Sequence, residues 1–382
     1  MPPIYMDSHA TTPLDGRVLD AMLPFFSEQF GNASSRNHSF GWAAKKAVER
    51  AREQVGSLVG ARFRDIIFTS GATESNNLAI KGVAASAAHG RKHIVTVCTE
   101  HRAVLDPCRE LERQGFDVTY LAVDAEGMID LDAVREAVTE RTLLVSVMAG
   151  NNEIGVMQPL VEIGRIARKR DALFHCDAAQ AAGSVECDVD ELWVDLLSLS
   201  AHKMYGPKGA GALYVRKKSP AIRLEPLLHG GGHERGYRSG TLNVPGIVGF
   251  GAAAEIAASE MAKESARVAA LRNRLWDGLR RNLDGVDANG SMTARLPQNL
   301  NVRIEGVPGD ALFMALDDVA VSSGAACTTA TAEPSHVLRA LGLNDDLARA
   351  SIRFGLGRFN TEQEVDYVVS KITDVVKRLR IG

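Results

Sequence analysis

Two residues of this chain have the types and the positions that a pyridoxal 5'-phosphate site requires. Lys203 follows the apolar run Asp195 to Leu199, and Asp177 closes an earlier apolar run. A lysine amine can form a Schiff base with the aldehyde of that cofactor, while a carboxylate keeps its pyridine nitrogen protonated. Taken singly, a loop lysine is usually a solvated charge, and an aspartate after a strand usually caps a turn. Ser200 and His202 flank the lysine and can donate to a phosphate, so the group together indicates amino-acid chemistry.

Composition argues against two classes of partner. The chain has 382 residues, 45% hydrophobic and 24% charged, a length that suggests two domains. A formal net charge of −3 and a pI near 6.4 give no electrostatic reason to expect nucleic acid or an anionic membrane. The amino terminus lacks a basic segment followed by an apolar stretch, and no apolar run approaches the roughly 18 residues of a membrane span. The sequence therefore predicts a cytoplasmic protein.

The cysteines are few and unevenly placed. Their number is five, which is odd, and they show no C-x-x-C spacing, so reduced thiols are expected. Cys98, Cys108, Cys176 and Cys187 lie in apolar runs or helical patterns and are expected to be inert. Cys327 instead lies among small residues typical of an exposed loop, where a thiol is either incidental or a nucleophile. It is the one catalytic candidate among the five.

Short β-rich runs alternate with helical patterns through the first two thirds of the chain. The predicted strands are 65–69, 93–97, 118–122, 143–147, 173–176, 195–199 and 211–215, and helix-like stretches at 43–59, 74–88, 103–114, 131–138 and 160–169 separate them. This alternation predicts an α/β fold with a mainly parallel seven-stranded sheet between helices. Ligands of such sheets bind beyond the carboxyl ends of the strands.

The regular alternation of strand and helix patterns ends after about residue 230. A glycine-rich segment leads into a long helical pattern at 247–281, and the rest of the chain is mixed. We predict a large domain over residues 14–258 and a smaller α+β domain formed by residues 1–13 and 259–382. The smaller domain would carry the loop with Cys327.

Two segments are candidates for phosphate binding. Residues 69–77 (TSGATESNN) follow a predicted strand and open a helix, whose first amides and macrodipole favour an anion, with the Thr73 hydroxyl as a further donor. An ordinary capping box explains the same residues equally well. Residues 230–236 (GGGHERG) lack the spacing of a nucleotide-binding loop. A mobile loop that presents Thr241 to this or a neighbouring subunit is the better interpretation.

His101 and the possible metal ligands complete the list of reactive side chains. His101 follows the strand at 93–97, so it falls at the same sheet edge as Asp177 and Lys203, where it could stack on a cofactor ring and move protons. It could also be a plain loop histidine. His175 and Cys176 are adjacent on a strand and point to opposite faces, so no intrinsic metal site is predicted.

These segments resemble the cysteine desulfurases of the NifS/IscS type, within the class-V aminotransferase family of fold-type I pyridoxal phosphate enzymes. The resemblance runs nearly end to end and includes a group I cysteine segment. It is carried by DSHATTPLD (7–15), FTSGATESNNLA (68–79), TEHRAVLD (99–106), NNEIG (151–155), SAHKMYGPKGAG (200–211), HGGGHERGYRSGT (229–241) and SSGAACT (322–328).

The resemblance implies a role for each candidate in the cofactor site. Lys203 would hold the cofactor, Asp177 would pair with its pyridine nitrogen, His101 would stack on the ring and Gln180 would bond its phenolic oxygen. The phosphate would be held by Ala72, Thr73, Ser200 and His202 together with Thr241 of a second subunit, which implies a homodimer.

The resemblance also implies the substrate and the reaction. Arg353 would bind the carboxylate of L-cysteine with Asn152 nearby, since a planar guanidinium suits a bidentate contact, although Arg349 and Arg358 are local alternatives. Cys327 would take the sulfur as a persulfide, releasing L-alanine. The sulfur would pass to an acceptor protein such as an iron–sulfur scaffold, and Cys327 could transiently contact the cluster. A selenocysteine lyase is the alternative.

One residue departs from the family pattern. His9 stands where related enzymes often have a small or amide side chain. The sequence gives no role for it.

Overall fold

A computed structural model describes residues 3–86, 90–323 and 334–381. The strands are β1 (Ile4–Tyr5), β2 (Ile66–Thr69), β3 (His93–Val97), β4 (Asp117–Leu121), β5 (Thr142–Ser146), β6 (Leu173–Asp177), β7 (Leu196–Ser200), β8 (Gly211–Val215), β9 (Val286–Ala288), β10 (Asn299–Ile304), β11 (Val319–Ala320), β12 (Ser322–Ser323) and β13 (Ser351–Gly355). The α-helices are α1 (Gly16–Met22), α2 (Pro24–Ser27), α3 (Ser39–Leu58), α4 (Ala72–Ala85), α5 (Arg102–Arg113), α6 (Leu131–Ala137), α7 (Leu160–Lys169), α8 (Val244–Asn282), α9 (Gly309–Met314), α10 (His336–Ala340), α11 (Asp345–Arg349) and α12 (Glu362–Ile381).

Seven strands form the central sheet in the order β2-β8-β7-β6-β5-β3-β4. β8 runs antiparallel to both of its neighbours, and the other pairings are parallel. Strands β3, β5 and β7 are buried along their whole length, as expected of runs covered by helices on both faces. The predicted α/β fold with a mainly parallel seven-stranded sheet is confirmed.

Side chains of the sheet alternate between two hydrophobic cores. Val95 and Val145 pack on the face covered by α3, α6, α7 and the first part of α8. Ile94 and Leu144, their neighbours in sequence, pack on the opposite face with α4 and α5. This period of two is the strand geometry that the apolar runs predict.

A further core lies around the antiparallel sheet β12-β13-β10-β9. It contains apolar side chains of α12 and of the second part of α8, such as Val268 and Leu279, whereas Phe250 from the first part of α8 lies in the core of the large sheet. Strand β1 pairs in parallel with β11, so the start of the chain joins the carboxyl-terminal region. The boundary proposed at residues 258 and 259 falls inside α8 and stays a prediction.

Among the described residues, none of the helices is both long enough and apolar enough to cross a membrane.

Candidate active site

Four strand ends converge on one edge of the large sheet. β6 ends at Asp177, and β7 ends at Ser200, directly before the short 3-10 helix Ala201–Lys203. β3 is followed by His101, the N-cap of α5, and β2 is followed by Gly71, the N-cap of α4. Because these strands are parallel, the chain places the residues that follow them at the same edge.

Lys203 is a base with a lowered pKa at this edge. Its Nζ donates to the carbonyl oxygen of Ala10 (2.9 Å) and to that of His9. Burial, followed by the positive charge of Arg353, lowers the pKa of Lys203, and the negative charges of Asp177 and Asp7 raise it; the net result is a pKa of about 8. A lysine with a depressed pKa is the form of amine that can act as a nucleophile or a base near neutral pH.

Asp177 is buried and hydrogen-bonded as a carboxylate. Asn76 Nδ2 donates to its Oδ2 (2.6 Å) and the Ala179 amide donates to its Oδ1 (2.9 Å). Asn76 Oδ1 is buried without a partner in the described part of the chain. Sequence reasoning missed Asn76, although its place four residues after Ala72, on the next turn of α4, pointed toward the same edge.

The beginning of α4 is open to an anion. Its N-cap, Gly71, has φ of 152° and no side-chain cap, and a Cβ built there would lie 3.8 Å from Ser200 Oγ. In the described part of the chain the amides of Ala72 and Thr73 in the first turn therefore have no side-chain acceptor, so the hydroxyl half of a capping box is not formed. Glu74 Oε2 instead accepts from the Ser70 amide (2.8 Å).

The two histidines beside the lysine are neutral at physiological pH. Burial lowers the pKa of His202 to about 4, helped by the charge of Lys203, and its Nδ1 lies 3.1 Å from Thr11 Oγ1. Burial also lowers the pKa of His101, against the effect of Asp177. His101 Nδ1 accepts from the Ala103 amide (3.0 Å), so the proton of the neutral ring is on Nε2.

Arg353 reaches the site from β13. Its Nη1 donates to the Asn152 carbonyl oxygen (2.9 Å), and its Nη2 donates to Asp7 Oδ1 and to Ser322 Oγ (both 2.7 Å). Its Nε and Asn152 Oδ1 are buried and lack partners among the residues described. Arg358, which the sequence left as an alternative for binding the substrate carboxylate, instead forms ion pairs with Asp15 (2.5 Å) and Glu264 (2.7 Å).

Gln180 and the residue at position 9 are in contact. His9 is 1% exposed, and its Nδ1 lies 2.8 Å from Gln180 Oε1. Gln180 Nε2 donates in return to the His9 carbonyl oxygen (3.0 Å). The residue that departs from the family pattern therefore lies in the site.

Among the described residues, one predicted site residue, Thr241, is not brought to this cluster. Thr241 is exposed, and Cys327 lies outside the described residues. The glycine-rich segment before Thr241 is anchored rather than free, because Glu234 is buried and accepts from Arg52 Nη1 (2.6 Å) and Nη2 (2.7 Å). Glu234 and Arg235 have positive φ values of 47° and 59°. Within the described ranges, no group of three or more His, Cys, Asp or Glu side chains could hold a metal ion.

The donor set fits pyridoxal 5'-phosphate. An uncapped helix start suits its phosphate, a buried carboxylate suits its ring nitrogen, and a lysine with a lowered pKa suits its aldehyde. The unpaired Asn76 Oδ1, Asn152 Oδ1 and Arg353 Nε are polar atoms that a bound molecule could satisfy.

A comparison with protein families decides the assignment. The family model described as "Aminotransferase class-V" matches residues 4–368. The chain belongs to the class-V aminotransferase family. Class-V aminotransferase enzymes of the NifS and IscS types depend on pyridoxal 5'-phosphate, so the predicted cofactor is confirmed.

Individual relatives show which class-V aminotransferases the chain resembles. The chain is 61% identical over 378 residues to "Cysteine desulfurase IscS" of Anaeromyxobacter sp. (strain Fw109-5), covering 99% of this chain and 93% of that protein. It is similar to the solved structure "NIFS-LIKE PROTEIN", with a TM-score of 0.92 and 39% identity over 99% of this chain and 100% of the other. It is also similar to "SspA in complex with cysteine", with a TM-score of 0.83 and 39% identity over 94% and 100% of the two chains. The resemblance to NifS/IscS-type cysteine desulfurases is confirmed.

Proposed function

We propose that this chain is a pyridoxal phosphate-dependent cysteine desulfurase that converts L-cysteine to L-alanine and passes the sulfur to an acceptor protein. The observation that carries the proposal is the half-buried Lys203 amine, with its pKa lowered to about 8, at the sheet edge shared with Asp177. The cysteine desulfurase relatives favour this function over a selenocysteine lyase.

The cofactor would be held by residues already at the site. Lys203 binds its aldehyde, Asp177 keeps the ring nitrogen protonated, His101 covers the ring and Gln180 donates to the phenolic oxygen. The phosphate takes donors from Ala72 and Thr73 at the start of α4, from Ser200 and from His202. When bound, the cofactor supplies an electron-withdrawing ring that stabilises negative charge at the α-carbon of the substrate.

Substrate binding rests on Arg353 and Asn152. The unpaired Arg353 Nε and Asn152 Oδ1 provide a donor and an acceptor, and the Arg353 fork suits a carboxylate. To bind the substrate in this way, Arg353 gives up part of its contact with Asp7. L-cysteine is thereby oriented with its α-carbon toward Lys203, which removes and returns the proton.

Cys327 takes the sulfur. Its thiolate attacks the sulfur of the substrate, so that an S–S bond forms while the Cβ–S bond breaks. The electron pair of the broken bond stays with carbon, which takes up a proton and leaves as alanine. The persulfide on Cys327 then transfers its outer sulfur to an acceptor, which we propose to be an iron–sulfur scaffold protein.

A homodimer would complete the phosphate site through Thr241 of a second copy. Large apolar side chains are exposed near the start of α8, which follows Thr241: Leu23 (51%), Phe26 (62%), Phe30 (65%), Phe40 (49%) and Trp42 (58%). Met22, at the end of α1, lies against Gly249 in the first turns of α8, so α1 and this part of α8 are in contact. An exposed apolar surface of this kind is typical of a subunit interface.

The first experiment measures cofactor and products together. The purified protein is examined for the visible absorption band of the bound cofactor, then given L-cysteine and a thiol reductant, and sulfide and alanine are assayed. We expect the band together with equal amounts of the two products. A protein that forms no band after cofactor is added would overturn the proposal, and a band without either product would exclude cysteine as the substrate.

The second experiment separates the cofactor site from the sulfur-accepting thiol. Cys327→Ser should keep the absorption band and lose sulfide release, because a hydroxyl cannot form a persulfide. Cys98→Ser is the control, since Cys98 is half-buried and burial raises its thiol pKa. Sulfide release by Cys327→Ser at the rate of the control would refute the role of Cys327.

A further inference from the structure

A chain of hydrogen bonds runs from a buried arginine to Gln180. Arg295 Nη1 donates to Asn299 Oδ1 (2.9 Å), Asn299 Nδ2 lies 3.0 Å from His9 Nε2, and His9 Nδ1 lies 2.8 Å from Gln180 Oε1. Arg295, Asn299 and His9 are each at most 4% exposed. Water is therefore kept away from the first three members, and their polar atoms must satisfy one another.

The direction of every bond in this chain follows from its first member. A guanidinium can only donate, so Asn299 presents its oxygen to Arg295 and its amide nitrogen to His9. The same Nδ2 donates to the Glu153 carbonyl oxygen (3.1 Å), which fixes that orientation a second time. His9 Nε2 must then accept, which leaves the proton of the neutral ring on Nδ1, where it donates to Gln180 Oε1.

The surroundings keep His9 neutral. Burial and the positive charges of Arg353, Lys203 and Arg295 together lower the pKa of His9 to about 3, against the effect of the hydrogen bond to Gln180, which raises it. At physiological pH the ring therefore has a single protonation state and a single tautomer.

Gln180 is left able only to donate toward the cofactor site. Its Oε1 is taken by His9 Nδ1, and one of its two Nε2 protons goes to the His9 carbonyl oxygen. No acceptor for the second proton lies in the ranges that the structure describes. Without the bond to His9, the amide could turn by half a rotation and present its oxygen instead.

We propose that His9 is a positioning residue which, through its contact with Asn299 and Arg295, fixes the amide of Gln180 with an N–H directed at the phenolic oxygen of the cofactor. The proposal rests on the proposed function, in which Gln180 meets that oxygen. A donor there stabilises the phenolate form, so it lowers the pH at which the visible absorption band of the resting enzyme changes.

The test uses two substitutions at position 9 and one elsewhere. His9→Leu removes the donor to Gln180, whereas His9→Asn places an amide N–H near the position of Nδ1. His93→Leu is the matched control, because His93 is also buried and makes two hydrogen bonds, to Thr142 and Thr119 (both 2.9 Å). His93 is the first residue of β3, so it lies at the end of the strand away from the site.

The first measurement is a pH titration of the visible absorption band of the bound cofactor in the resting enzyme, which gives the pH at the midpoint of the change. We expect it to rise by about one pH unit in His9→Leu, a tenfold change in the protonation equilibrium. It should stay at the wild-type value in His9→Asn and in His93→Leu. A midpoint in His9→Leu equal to that of wild type, or an equal rise in His93→Leu, would overturn the positioning role.

The second measurement needs neither a substitution nor the cofactor. Nitrogen-15 NMR of the histidine rings in the cofactor-free protein should show His9 neutral, with its proton on Nδ1, from pH 8 down to about pH 5, because burial and the nearby positive charges lower its pKa to about 3. A proton on Nε2, or a charged ring in that interval, would overturn the direction of the bonds even if His9→Leu does not fold. Failure of the wild-type protein to form the absorption band would instead refute the proposed function. The NMR measurement would still show whether His9 has the tautomer and hydrogen bonds described above.

Discussion

In the cofactor-free protein, replacing Lys203 with methionine should remove a pH-dependent cost to stability. The ordinary pKa of 10.5 falls to about 8 in the folded state because the amine is buried. Between these two values the unfolded chain binds a proton that the folded chain has lost, so stability rises with pH in wild type. At about 1.4 kcal/mol per pH unit, the interval corresponds to about 3 kcal/mol. Lys203→Met lacks this dependence.

The assay is urea unfolding of both cofactor-free proteins at pH 7, 8, 9 and 10. We expect the difference in free energy of unfolding, wild type minus Lys203→Met, to increase steadily above about pH 8. The contributions of all other titrating groups cancel in this difference. Lys208→Met is the control, since the side chain of Lys208 is exposed and its ammonium stays in water. A difference between wild type and Lys203→Met that is constant from pH 7 to pH 10 would refute the claim that burial perturbs this lysine.

Three further predictions concern the glycine-rich segment and the site. Arg52→Met leaves the buried carboxylate of Glu234 without its bidentate partner and should lower the free energy of unfolding by about 3–5 kcal/mol. The double variant Arg52→Met, Glu234→Leu should have a higher melting temperature than Arg52→Met, because it leaves no unpaired buried charge. Equal melting temperatures of the two variants would contradict this. Asp177→Asn should keep the fold but slow alanine formation roughly 100-fold, as loss of an electrostatic contact to the reacting system does, and unchanged turnover would exclude a role at the ring nitrogen. Arg353→Lys should raise KM for L-cysteine about tenfold with a smaller effect on kcat, since it keeps the charge but loses the planar fork; an unaltered KM would point to another carboxylate ligand.

The large sheet could be predicted from the sequence because its strands are buried on both faces. Runs such as residues 93–97 and 143–147 are mostly apolar and rich in β-branched residues, and a chain that alternates such runs with helical patterns has few other folds available. Lys203, Asp177 and His101 could be found for a related reason. Each lies at the end of a strand or shortly after it, and parallel strands end at a common edge.

The partners of these residues could not be predicted, since they come from distant parts of the chain. Asn76 lies 101 residues from Asp177, and Glu234 lies 182 residues from Arg52. Consecutive glycines before Glu234 suggested a mobile loop, whereas a buried ion pair fixes the segment in place. His9 attracted notice only as a departure from the family pattern, because nothing in its own neighbourhood indicates contact with Asn299 or Gln180.

The pairing of the first residues with the last strand has a consequence for how the molecule is made. The Met6 carbonyl oxygen and the Ser8 amide bond to Gly355, and Asp7 pairs with Arg353, 346 residues away. Contacts of such long sequence separation form late, after local elements and the sheet have closed. During synthesis, the strand ends can assemble from the emerging chain, and His9 can meet Gln180, well before Arg353 exists, but the ion pair of Asp7 with Arg353 cannot form until then. A nascent chain should therefore mature in two steps, with a folded sheet first and a competent pocket only after residue 355 has been translated.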